Sequence, residues 1–121
     1  MRDNYPQTNY TPLIGGYMTI LTDQMFDQAY EAHNKAEMVE FFANWCPHCK
    51  KMEPVVAKLA QEYAGKISIL TVDVDQAPLA SRKFSISGVP TFLFVKNGKV
   101  VESLAGEYTE GELKEQLKAL L

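Results

Sequence analysis

Between residues 38 and 43 the chain reads Met-Val-Glu-Phe-Phe-Ala, an apolar and aromatic run of strand length interrupted only by Glu40. A nearly continuous run of this kind suits a central strand covered on both faces. Beyond it, Met52, Val55, Val56, Leu59, Ala60 and Tyr63 recur at helical spacing, while Lys50, Lys51, Glu53, Lys58 and Glu62 fall elsewhere. Gly65 stops that helix, and Pro54 inside it predicts a kink. Residues 67–74 (ISILTVDV) form a β-branched strand. Strand, helix and strand in succession make a parallel βαβ unit with a right-handed crossover.

The flanking segments complete the pattern. Residues 1–17 hold Tyr5, Pro6, Asn9, Tyr10, Pro12 and Gly15-Gly16 without apolar periodicity, which predicts a flexible extension. Tyr17–Leu21 is a short strand, and Thr22 or Asp23 caps a helix whose stripe is Met25, Phe26, Ala29 and Tyr30, ending near His33. Pro78 opens a short helix that ends near Phe84. Thr91–Val95 and Val100–Leu104 flank Lys96-Asn97-Gly98-Lys99, and Asn-Gly between apolar runs signals a hairpin. Thr109 and Glu112 form a capping box for a last helix, with Leu113, Leu117, Leu120 and Leu121 on one side and Lys114 and Lys118 on the other. The sum is an α/β domain over residues 18–121: a central mixed sheet, parallel through the crossover and antiparallel through the hairpin, with helices on both faces.

Composition removes several alternatives. The chain has 121 residues, 46% of them apolar and 22% charged, which excludes a disordered or fibrous protein. No window approaches the ~18–20 consecutive apolar residues of a membrane span. The polar start MRDNYPQTNYTP lacks the apolar run of an export signal, so the expectation is a cytoplasmic protein; a mature exported form is the alternative. A net charge of −3, with the basic pairs Lys50-Lys51 and Arg82-Lys83 scattered, speaks against nucleic acid.

The chemistry gathers in Cys46-Pro47-His48-Cys49, which holds both cysteines of the chain. Two cysteines cannot make a disulfide scaffold. A structural zinc site needs four ligands, and there is no second pair. What remains is a local C-x-x-C pair between a buried strand and a helix. Helix N-termini carry unpaired N–H donors and about half a positive charge. A thiolate of Cys46 placed there is stabilised below the free value of roughly 8.5, and His48 adds to that when protonated or donating. Cys49 lies three residues on, on the same helical face but inside the helix, where burial predicts a higher pKa. Cys46 is therefore the attacking sulfur and Cys49 the resolving one; two inert buried cysteines are the bland alternative.

Other residues carry two readings each. Trp45 is either a core residue or, beside an exposed nucleophile, a contact surface for substrate backbone. Glu40 is either an end-of-strand carboxylate reaching water or a buried acid with a raised pKa that accepts the proton of Cys49. Pro90 precedes a strand in Gly88-Val89-Pro90-Thr91, and local sequence does not lift it above the cis frequency of about 5–6% for X-Pro bonds. His33 reads as a surface residue, and Met38 and Met52 as core.

Taken together, residues 39–46 (VEFFANWC), the second cysteine with Lys50 after it, Pro54, Gly88-Val89-Pro90-Thr91, Lys96-Asn97-Gly98 and Gly106 resemble the thioredoxin family. The resemblance covers about residues 18–121 with nearly family-typical spacing. It implies the thioredoxin fold, thiol–disulfide exchange, a cis Pro90 facing Cys46, a Val89 that pairs with substrate backbone, and Glu40 as the buried proton acceptor. Gly106 joins Trp45, Val89 and Pro90 among the substrate-binding positions. Four features depart from the pattern. The dipeptide Pro47-His48 replaces Gly-Pro and resembles strongly oxidising periplasmic enzymes, whose inserted helical domain this chain has no room for. The acid is Glu40, as in eukaryotic protein disulfide isomerases. Thr71 stands where the lysine that pairs with the acid is usual. Glu107 follows Gly106 where a small residue is common, putting negative charge beside the groove.

The leading expectation is a monomeric protein-disulfide oxidoreductase of the reductive kind. It needs no bound cofactor or metal, acts on disulfide-containing proteins, and is recharged by a flavoprotein thioredoxin reductase. An exported disulfide oxidase or isomerase is the alternative that His48 favours. From other classes come a module in which two chains bridge a metal or cluster through Cys46 and Cys49, and an interaction subunit that uses the fold and not the sulfurs.

Overall fold

The strand predicted from Met38 onward begins at Ala36 and runs to Phe42 (β3 below), and it lies at the centre of the molecule. The computed structural model describes residues 10–13, 16–32 and 36–121. Their elements in chain order are β1 (Tyr10–Leu13), β2 (Gly16–Leu21), α1 (Asp23–Ala32), β3 (Ala36–Phe42), α2 (Pro47–Glu62), β4 (Ser68–Asp73), α3 (Pro78–Lys83), β5 (Thr91–Lys96), β6 (Lys99–Ala105) and α4 (Glu110–Lys118). The described strands form one six-stranded sheet in the order β1-β2-β4-β3-β5-β6. β3 runs parallel to β4, with Glu40 beside Thr71, and antiparallel to β5, with Glu40 beside Phe92. This is the mixed α/β sheet expected from the crossover and the hairpin.

One expectation is corrected. Within the segment predicted to be a loose extension, Tyr10–Leu13 pairs antiparallel with Gly16–Leu21 and adds an edge strand. Its residues carry no apolar alternation, and backbone pairing with a neighbouring strand does not require one. Residues 1–9 and 14–15 of that segment lie outside the described residues, as does His33.

Alternation along β3 divides the core in two. Val39 and Phe41 join Leu21, Phe26, Tyr30, Leu70, Val72, Leu93 and Val95 in a cluster under α1 and α3. Met38 faces the other way, with Met52, Val56, Leu59, Phe92, Phe94, Leu113 and Leu117 under α2 and α4. By the same alternation Glu37 belongs to the first face and Glu40 to the second. Both methionines are core residues, as their spacing predicts.

The termini of the elements follow the local chemistry. Helix α2 continues through Pro54 to Glu62, although proline removes the bond its N–H would make to the carbonyl of Lys50. At the hairpin, Asn97 and Gly98 both have positive φ (53° and 79°), as a two-residue turn with primed geometry requires. A bulge between Phe94 and Val95, which no sequence pattern announces, shifts the β5–β6 register. The capping box forms as predicted: Glu112 N–H donates to Thr109 Oγ1 at 3.1 Å, and Thr109 N–H to Glu112 Oε1 at 2.8 Å. Thr109→Ala is therefore expected to cost about 1 kcal/mol, read as a lowered urea midpoint with an unchanged m-value.

Candidate active site

β3 ends at Phe42, and four residues later the chain turns into α2 with Cys46 as its N-cap. The backbone of Cys46 is extended (φ −95°, ψ 112°), and Pro47 occupies the first helical position, where its missing N–H costs nothing. The Cys46 Sγ takes the place of a capping oxygen. It accepts a hydrogen bond from the Cys49 backbone N–H at 3.1 Å. The nucleophile is thereby aimed along the open end of α2, where the helix dipole favours negative charge.

Across from it, the loop before β5 brings the Val89–Pro90 peptide, which is cis as the resemblance implied. Cys46 Sγ lies 3.7 Å from the Val89 carbonyl oxygen, to which the thiol donates. The Pro90 carbonyl in turn accepts from Gly106 N–H at 2.8 Å, tying the end of β6 to the same place. Gly106 has φ +107°, a conformation that side chains with a Cβ rarely adopt. Cys46, Val89, Pro90 and Gly106, distant in sequence, thus meet at one end of the sheet.

The two sulfurs are packed with Ala43, Phe42, Val74 and Val89. Each cysteine is 3% exposed, so Cys46 is more covered than an exposed nucleophile would be. The cause is its double engagement, under the Cys49 N–H and against the Val89 carbonyl. What is open to solvent is its immediate surround: Trp45, Pro47 and His48 are all exposed. Trp45 is 67% exposed, which removes the core alternative for it. Its indole N–H donates to Asp75 Oδ2 at 2.9 Å, so the ring is exposed but held. Asp75 comes from the loop after β4. Its own N–H donates to the buried Asp73, which also accepts from Asn44 Nδ2 at 3.3 Å.

Beneath the pair sits Glu40, only 4% exposed. Burial, followed by the charge of Glu53, raises its pKa to about 8. Burial also pushes the Cys49 thiol up to about 12; the hydrogen bond with Cys46 and the charges of Cys46 and Glu40 add to this, and a backbone hydrogen bond at Ala43 opposes it. Glu40 therefore acts on Cys49 electrostatically, and the surface-carboxylate alternative for it is ruled out. Thr71, its neighbour in register on β4, is 1% exposed.

Two features escaped the sequence pattern. Glu37, on the opposite face of β3, is fully buried, and burial raises its pKa to about 8. Counting alternate residues back from Phe41 would have placed it indoors. The second is a hydrogen-bonded pair: His48 Nδ1 lies 2.8 Å from Glu107 Oε1. Sequence places a charge at residue 107 but gives no sign of its partner, 59 positions away. Among the described residues, no three His, Cys, Asp or Glu side chains converge as a metal site. No described helix is long and apolar enough to cross a membrane.

Comparison with known proteins agrees with this geometry. The family model described as Thioredoxin matches residues 17–119. The chain is 35% identical over 101 residues to a thioredoxin of Buchnera aphidicola, covering 84% of this chain and 93% of that protein. It is 37% identical over 97 residues to a thioredoxin of Staphylococcus haemolyticus, covering 80% and 91%. With the chloroplastic M-type thioredoxin of Pisum sativum it shares 32% over 99 residues, 82% of this chain and 58% of that one. These likenesses favour neither a metal-bridging module nor an exported oxidase.

Proposed function

This chain belongs to the thioredoxin family and is a protein-disulfide oxidoreductase; from that premise we propose that it works as a reductase of protein disulfides, with Cys46 attacking and Cys49 resolving. The observation that carries this assignment of roles is the asymmetry of the pair. The Cys46 sulfur accepts an N–H bond at the mouth of α2, while burial holds Cys49 protonated, its pKa pushed up to about 12.

In the forward direction the Cys46 thiolate attacks one sulfur of a substrate disulfide. A Cys46–substrate S–S bond forms as the substrate bond breaks, and the released thiolate takes up a proton. Cys49 then gives its proton to Glu40 in its ionised form, the minor one below about pH 8, and attacks Cys46 Sγ. The Cys46–Cys49 bond forms and the second substrate thiolate departs, taking up the proton that Glu40 received. Two electrons pass from the pair to the substrate, which leaves as a dithiol. The held indole of Trp45, the Val89 backbone and Gly106 line the approach to Cys46 and serve to seat the substrate chain. The oxidised pair returns to the dithiol by the same exchange with a reductase of the flavoprotein class, which fits a protein working in a reducing compartment such as the cytoplasm.

Equilibration with a glutathione redox buffer, alongside insulin reduction by dithiothreitol, tests this reading. We expect accelerated insulin reduction and a potential below the glutathione poise of about −220 to −260 mV. A potential well above that range would make the protein a disulfide donor, the alternative His48 favours. No acceleration over the thiol alone would overturn the assigned roles of the pair.

A further inference from the structure

The His48–Glu107 pair has no part in the scheme above, yet it joins the second residue of α2 to the residue that follows Gly106. The side chains are 63% and 42% exposed, and a polar pair so open to water contributes little to folding stability. Its effect is on position. An exposed histidine at a helix start samples several rotamers, and the contact with Glu107 selects among them. A carboxylate accepts and does not donate, so the Nδ1–H of His48 donates to Glu107 Oε1 at 2.8 Å. That fixes both the tautomer and the direction of the ring, as a second group commonly does for a working histidine.

We propose that Glu107 is a positioning residue for disulfide exchange: by engaging Nδ1 it holds the His48 imidazole beside the mouth of α2 and sets how strongly His48 biases the cysteine pair toward its dithiol form. Glu107 touches neither sulfur and acts through His48. The inference rests on the reading of Cys46 and Cys49 as a redox pair. The other carboxylates around the cysteines do not compete for the imidazole. Asp75 is held by Trp45, Asp73 by Asn44 and its own turn, and Glu40 is buried beneath the pair. Glu107 thus controls a property of the cysteines from a loop that carries no sulfur.

The test is a double-mutant cycle on the equilibrium constant with glutathione, comparing the full chain with H48A, E107Q and H48A/E107Q at low salt. With Glu107 present, H48A should shift the equilibrium about tenfold toward the disulfide, a fall of about 30 mV. In the E107Q background the same change should shift it about threefold or less, while E107D, which keeps the carboxylate, retains most of the tenfold effect. Equal shifts in both backgrounds would overturn the proposal. So would a larger shift without Glu107, since the carboxylate would then be masking the histidine rather than holding it. Both side chains are exposed, so the variants fold, and a merely structural contact would leave the cycle additive. Failure of the unmodified chain to exchange with glutathione at all would instead strike down the reading of the pair itself.

Discussion

Cys46→Ser is expected to lose disulfide turnover entirely, falling to the rate of the free thiol reagent, while Cys49→Ser halts after half a reaction and accumulates a covalent adduct with its substrate. The difference follows from the order of attack. A serine hydroxyl at position 46 cannot open a substrate disulfide, whatever the helix terminus offers it. With Cys46 intact and a serine hydroxyl in place of the Cys49 thiol, the first exchange proceeds and nothing resolves the mixed disulfide. Non-reducing electrophoresis after mixing each variant with an oxidised protein reads this directly. An adduct on Cys46→Ser with none on Cys49→Ser would reverse the two roles.

The second large effect is that of Glu40→Gln, and it has two readouts. The carboxyl is raised to about 8 in the folded protein from an ordinary value near 4.5. Between those values the unfolded chain has released the proton and the folded chain retains it. The folded state thus binds more protons, and stability falls as pH rises. The contribution is whole below about 4.5, declines through the window and is lost above about 8. One such group gives a slope of up to about −1.4 kcal/mol per pH unit. Glu37 titrates over the same range, with its pKa also raised to about 8. Glu40→Gln should accordingly remove one group's share of the slope between about pH 5 and 7.5 and leave that of Glu37. An unchanged slope in urea unfolding would show that Glu40 is ionised in the folded protein. The second readout is kinetic. Without the acceptor, the mixed disulfide should persist roughly 100-fold longer, the low end of what a placed acid–base group supplies.

Much of this fold was legible before any coordinates because its signals are local. The Asn97-Gly98 turn, the Thr109–Glu112 box and the apolar stripe of α2 each depend on residues within a few positions. The C-x-x-C pair was legible for the same reason, since one strand and one helix suffice to aim it. What stayed hidden depends on contacts between distant segments. The β1 strand at Tyr10–Leu13 forms by pairing with a neighbour and needs no apolar pattern of its own. Burial of Glu37 becomes visible only once the start of β3 is known. The partners of Trp45 and His48, Asp75 and Glu107, arrive from loops 30 and 59 residues away. The thiols were predictable in kind, whereas their degree of cover required seeing the Val89 carbonyl above Cys46.

The way α2 begins separates two demands that usually conflict. In most helices the N-cap is a serine, threonine, aspartate or asparagine chosen to hold the first turn together. Here the reactive atom itself fills that position, through the Cys49 N–H to Cys46 Sγ bond. When Cys46 is tied up in a mixed disulfide its sulfur is neutral and a weaker acceptor, so the first turn of α2 is held least firmly at the moment Cys49 must move. The helix start and the reacting atom thus share one hydrogen bond, so chemistry at Cys46 bears directly on how the first turn of α2 is held.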